Sequence, residues 1–154
     1  MNNPYQAPAA DLATDQQELL YVGFWPRLGA VIIDQIIVTI ITLPILLLIY
    51  GMAYFTKTTF IAGPLDVVIS YVFPFVWVLG FWAYRQATPG KMVVGAKIIS
   101  AKTGGKPTTG QLVGRYFAYI ISTLPLLLGF LWAAWDPKKQ TWHDKLAGTY
   151  IVRN

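Results

Sequence analysis

The chain has 154 residues, enough for one domain, and it is 55% hydrophobic and only 12% charged, with a mean hydropathy of +0.49. Soluble domains carry about 25% charged residues, so twelve basic and seven acidic side chains cannot cover a free globular surface, and the apolar excess excludes an intrinsically disordered chain. The absence of cysteine removes disulfide scaffolds and thiolate chemistry, and the net charge of +5 lies outside the apolar runs, which is a pattern of membrane topology rather than of nucleic-acid binding.

Residues 1–22 are small, polar and proline-bearing, with Asp11, Asp15 and Glu18 but no basic stretch and no early apolar core. They read as a short disordered cytoplasmic tail rather than a cleavable signal. The first apolar run, Leu28 to Tyr50, is interrupted only by Asp34, Gln35, Thr39, Thr42 and Pro44, and is long enough to cross about 30 Å of hydrocarbon. The 51–63 connection carries one basic residue, Lys57. The second run, Pro64 to Tyr84, opens on Asp66, which reads as a solvated helix-start acid near the outer surface. The connection 85–115 then carries Arg85, Lys91, Lys97, Lys102, Lys106 and Arg115. The positive-inside rule places that connection, and with it the amino terminus, in the cytoplasm, where its lysines meet the inner leaflet.

Within the basic connection, Met92–Ala101 is rich in β-branched residues and is followed by a turn signal at Thr103–Pro107. Gly148–Arg153 is a second strand candidate and its natural partner. The third apolar run, Tyr116 to Trp135, contains Pro125, which breaks a helix interior. It reads either as a single kinked span or as two half-helices, 115–124 and 126–135, that enter and return. The return is favoured by the basic tail 136–154 and by the need to bring both strands to one side. The expected fold is an all-α integral membrane protein with two full transmembrane helices, a proline-broken third segment and a small cytoplasmic β-hairpin-like element.

Ionisable residues inside a spanning helix are functional candidates. Asp34 lies seven residues beyond Arg27, about 10 Å deeper along the axis and on the same face. Gln35, Thr39 and Thr42 occupy the adjoining arc, and this polar stripe must face protein or water. Carboxylate, amide and hydroxyl oxygens suit a hard cation or a proton site. They suit equally a structural helix–helix contact. Arg115, Arg85, Ser122 and Thr123 are candidate partners of Asp34. Near the carboxy terminus, Asp144 is placed to pair with Arg27 as a cytoplasmic latch. His143 is read either as an exposed bystander or as a group that titrates near neutrality. One histidine and one aspartate make no metal site. The Gly-Lys dipeptides at 90–91 and 105–106 lack the spacing of a phosphate-binding loop. No nucleophile or metal constellation supports an enzyme, and no cofactor is called for.

Three motifs together resemble the RDD family of membrane proteins, named for one arginine and two aspartates. They are Phe24-Trp-Pro-Arg-Leu-Gly-Ala-Val-Ile-Ile-Asp34, Thr88-Pro-Gly-Lys-Met-Val-Val-Gly-Ala-Lys-Ile-Ile99 and His143-Asp144-Lys-Leu-Ala-Gly-Thr149. The resemblance assigns Arg27, Asp34 and Asp144 as the family residues and makes 23–154 the RDD-like transmembrane domain. It implies transport, because some family members resemble antiporters of a monovalent cation (Na⁺, Li⁺ or K⁺) against H⁺, with Asp34 as the ion or proton site. Transport by so short a chain calls for a homo-oligomer, in what reads as a bacterial inner membrane. The alternative is a non-transporting scaffold or assembly factor in which Arg27, Asp34 and Asp144 form a structural network.

Overall fold

The computed structural model describes residues 19–153. The expected tail lies outside them up to residue 18. At its end, however, residues 20–22 are not a free tail. The Val22 amide donates to the Ile151 carbonyl at 2.9 Å, the Arg153 amide donates to the Leu20 carbonyl at 2.9 Å, and Tyr21 bridges to Val152.

The first helix, α1 (Phe24–Tyr50), starts four residues before the apolar run. Pro26 fits there because first-turn amides have no partner within a helix. Together with a following 3₁₀ turn it makes one stretch, Phe24–Phe55, and Pro64–Arg85 makes a second; among the described residues these are the two unbroken helical stretches long and apolar enough to cross a membrane. Ile32, Ile36, Ile40 and Leu48 of α1 point outward, as a lipid-facing surface requires. The second stretch comprises α2 (Pro64–Val67), a π turn over Val68–Val72 and α3 (Phe73–Arg85). The π turn ends two residues before Pro74, which has no amide to offer the Ser70 carbonyl.

Asp66 is buried rather than solvated. Its carboxylate accepts from Lys57 Nζ at 2.8 Å, the Ala62 amide at 2.7 Å, the Ser70 hydroxyl at 2.7 Å and the Tyr54 hydroxyl at 3.0 Å. It therefore fastens the 51–63 connection to the start of the second span, a tertiary role that local sequence does not reveal.

After α3 come α4 (Pro89–Val93) and β1 (Ala96–Ser100), so Met92 and Val93, expected in a strand, are helical. Strand β1 pairs antiparallel with β2 (Thr149–Arg153), with Ile98 opposite Ile151. The pairing matches the expectation, but the strands are separated by 48 residues and form no hairpin. Helix α5 (Thr109–Thr123) begins seven residues before the apolar run, where Thr108 and Gln111 form a reciprocal capping box. At Pro125 the chain turns by 112° through Leu126 and Leu127, both at positive φ, into α6 (Leu128–Leu131) and a 3₁₀ turn. Helix α7 (Trp142–Ala147) leads into β2. Val22, Trp82, Ala96, Ile98, Leu112 and Ile151 form a core that joins the strands to α3 and α5.

Candidate functional site

Asp34 projects from α1 onto the start of α4. Its carboxylate accepts from the Thr88 hydroxyl and, at 2.7 Å, from the Gly90 amide. Thr88 occupies the N-cap position of α4 but makes no side-chain cap of its own, so the carboxylate from α1 takes that place. The fit requires glycine. A Cβ on Gly90 would lie 2.0 Å from the Ala30 carbonyl oxygen and 2.9 Å from Asp34 Cγ. The candidate partners Arg115, Arg85, Ser122 and Thr123 do not contact Asp34. Arg115 and Ser122 are engaged elsewhere, because α5 turns their face toward α7.

Asp34, Gln35, Thr39 and Thr42 all line one cavity of about 520 Å³, closed on the other side by residues of α3 and α5, with Ser70 and Tyr54 also on its wall. Gln35 Nε2 donates to the Thr39 hydroxyl at 3.4 Å, and both residues are exposed to this space. Thr42 lies eight residues, about 12 Å, beyond Asp34. Its hydroxyl bonds back to the Val38 carbonyl at 2.9 Å, so it belongs to the far wall and not to a ligand set centred on Asp34.

A second cluster is fully internal. Arg27 contacts Asp144 directly, while its Nε donates to the Val22 carbonyl at 2.9 Å and its Nη2 to the Lys139 carbonyl at 2.5 Å. Arg115 approaches the other Asp144 oxygen at 2.5 Å and donates to the Thr149 hydroxyl at 2.7 Å. Asp144 also accepts the Thr141 amide at 3.2 Å, closing the first turn of α7. Burial alone would raise the Asp144 pKa, but the Arg115 and Arg27 guanidiniums outweigh it and hold the carboxyl far below the usual range.

His143 is buried, not exposed. Nδ1 lies 3.1 Å from the Ser122 hydroxyl and Nε2 lies 2.8 Å from the Thr141 hydroxyl, with the ring against Tyr119 and Phe130. Burial pushes its pKa well below the usual imidazole value, and the nearby guanidiniums add to that despite Asp144, so the ring is neutral around pH 7.

Arg115 escaped the sequence reading as a member of this cluster, although a signal existed. Leu112, Arg115, Ala118 and Ser122 recur at helical spacing and are the buried arc of α5. Lys91 was read as a surface lysine. It is 5% exposed and borders the Asp34 cavity. Nothing in its local sequence separates it from the other lysines of the connection.

Two helices long and apolar enough to span a membrane, a carboxylate within the first of them and a buried arginine–aspartate cluster define a small membrane protein. The chain belongs to the RDD family, whose description matches residues 21–148. It is 30% identical over 146 residues to the uncharacterized protein YxaI of Bacillus subtilis, covering 84% of this chain and 95% of that one. It is 30% identical over 141 residues to the uncharacterized membrane protein YteJ of the same organism, covering 86% and 80%. A 39% identical match to the uncharacterized protein RP437 of Rickettsia prowazekii covers 48% of this chain and 40% of that protein. No solved structure matches.

Proposed function

We propose that the protein moves a monovalent cation against protons, with Asp34 as the group for which the two compete. The observation that supports this reading is the convergence of Asp34, Gln35 and Thr39 on one cavity within the first spanning helix. A carboxylate has about four acceptor positions. Thr88 and Gly90 take two of them, so acceptor capacity remains for a cation that amide and hydroxyl oxygens help to coordinate. The protein is not an enzyme in this reading. The amino terminus and the β1–β2 pair lie in the cytoplasm of a bacterial cell, in accord with the basic connection. The α5–α6 segment enters the membrane and returns, in accord with the pairing of strands that precede and follow it. A homo-oligomer supplies the pathway that one short chain lacks.

The test is proteoliposomes loaded with a pH-sensitive dye. Addition of Na⁺ or Li⁺ drives proton movement with the unaltered protein, and Asp34→Asn abolishes it while the protein stays folded. Absence of ion-driven proton movement in well-oriented vesicles contradicts the reading. A second reading, a non-transporting scaffold, is favoured by the way Asp34 caps α4 and Asp144 is saturated by two arginines. In that case Asp34→Asn lowers thermal stability and there is no flux to lose.

A further inference from the structure

Lys91 carries a charge without a counter-charge. It is 5% exposed, and among the described residues no carboxylate lies within salt-bridge distance of its ammonium and no hydrogen bond satisfies it. Its nearest electrostatic partner is the Trp82 ring, with the centroid 5.6 Å away. The nearby carboxylates bond elsewhere, Asp144 to Arg27, Arg115 and the Thr141 amide and Asp34 to Thr88 and Gly90, and although Asp34 keeps acceptor positions it does not reach the Lys91 ammonium. The Lys91 Nζ keeps some accessible surface while the rest of the side chain is enclosed, so few waters can pair the ammonium and an anion supplied there is favoured.

Lys91 borders a second cavity besides that of Asp34. This cavity, about 350 Å³, lies within the size range of small-ligand sites, about 300–1,000 Å³. Leu28, Val31, Leu127 and Leu131 are among its walls, and Arg27, Arg115 and Lys91 are its charged lining residues. Leu28, Val31 and Leu127 also have outward-exposed surface, 38%, 50% and 52%, so the wall reaches the same apolar exterior as the spanning helix. Apolar walls that meet lipid, joined by an unpaired cation, suit an amphiphile with an anionic head. A small polar anion would leave the walls unfilled, and a neutral hydrocarbon would leave the ammonium unpaired.

We propose that this cavity holds one acyl chain of an anionic membrane phospholipid, with the lipid phosphate on the Lys91 ammonium. The lipid site is argued without the cation reading, although Lys91 and Val31 border both cavities. The experiment is native mass spectrometry of the full chain released from mixed vesicles of phosphatidylglycerol and phosphatidylcholine with matched chains. The unaltered protein retains phosphatidylglycerol over phosphatidylcholine by about fivefold or more, the preference that one basic residue confers. Lys91→Arg keeps the preference, and Lys91→Met reduces it to about parity. Leu28→Trp, which narrows the cavity and leaves the charge in place, weakens retention of both lipids. Equal retention of the two lipids by the unaltered protein overturns the proposal. So does an unchanged preference in Lys91→Met, displacement of the lipid by inorganic phosphate alone, or stronger retention of oleate than of phosphatidylglycerol. Circular dichroism of each variant separates lipid loss from misfolding, and the charge-preserving arginine variant keeps the test decisive if the methionine variant unfolds.

Discussion

Asp144 is the carboxylate on which two guanidiniums converge. It is fully buried, caps α7 and meets two guanidiniums. Removing one partner of such a cluster leaves buried charge uncompensated, so Asp144→Asn is expected to cost about 3–5 kcal/mol. Thermal unfolding in mild detergent measures this, and a loss under about 1 kcal/mol would show that the cluster is dispensable. His143 has a pH signature of its own. Its folded pKa lies below its ordinary value, so the unfolded chain takes up a proton first as pH falls. Stability is therefore full above about pH 6.5 and declines from there toward the folded pKa. His143→Gln flattens that limb, and the further decline below about pH 4, where the depressed Asp144 carboxyl is linked to folding, remains. At this scale the sequence was partly legible. Arg27 and Asp144 were read as a pair from charge and position, but Arg115 joins them through the packing of α5 on α7, which no short-range pattern encodes.

Helix α4 is only five residues long and is held to α1 by one carboxylate and one glycine. Gly90→Ala drives a methyl group into the Ala30 carbonyl and should cost about 1–3 kcal/mol, the usual range for overpacking. If unfolding measurements find no change, α4 is not seated on α1 as described. The same contact explains why Thr88-Pro-Gly is a structural motif and not a phosphate loop: its amide points at a carboxylate of the same chain. Long apolar runs were legible as spanning helices because their hydrophobicity is not subject to tertiary override. The short elements were less so. Val93 has a strand-forming side chain and Met92 a helix-forming one, and Pro89 at the first helical position and the Asp34 cap draw both into a helical turn. Asp66 looked like a surface acid because the four donors that surround it come from residues 54–70 and converge only when the 51–63 connection folds back.

For the molecule as a whole, the sheet sets the topology. Residues 20–22 precede α1, β1 follows the second span and β2 follows α7, and all three stretches join one patch of hydrogen bonds. A single-pass third segment would place β2 across the membrane from β1. With the amino terminus in the cytoplasm as proposed, a cytoplasmically active reporter fused after Asn154 should be functional and a periplasmically active one silent; reporters at the two termini that are active on opposite sides rule out the returning segment. The apolar stretches and the pairing of the two strands were legible because hydrophobicity and β-branched content are local properties of the sequence. The cavities were not, since each is bounded by residues from several distant segments.

The central claim is that the space beside Asp34 accepts a cation at membrane depth. Crystals of the protein soaked with thallium(I), a monovalent cation visible by anomalous scattering, test it most directly. The account predicts an anomalous peak in the cavity between Asp34, Gln35 and Thr39, lost in Asp34→Asn crystals. An ordered cavity that stays free of thallium at saturating concentration would contradict it.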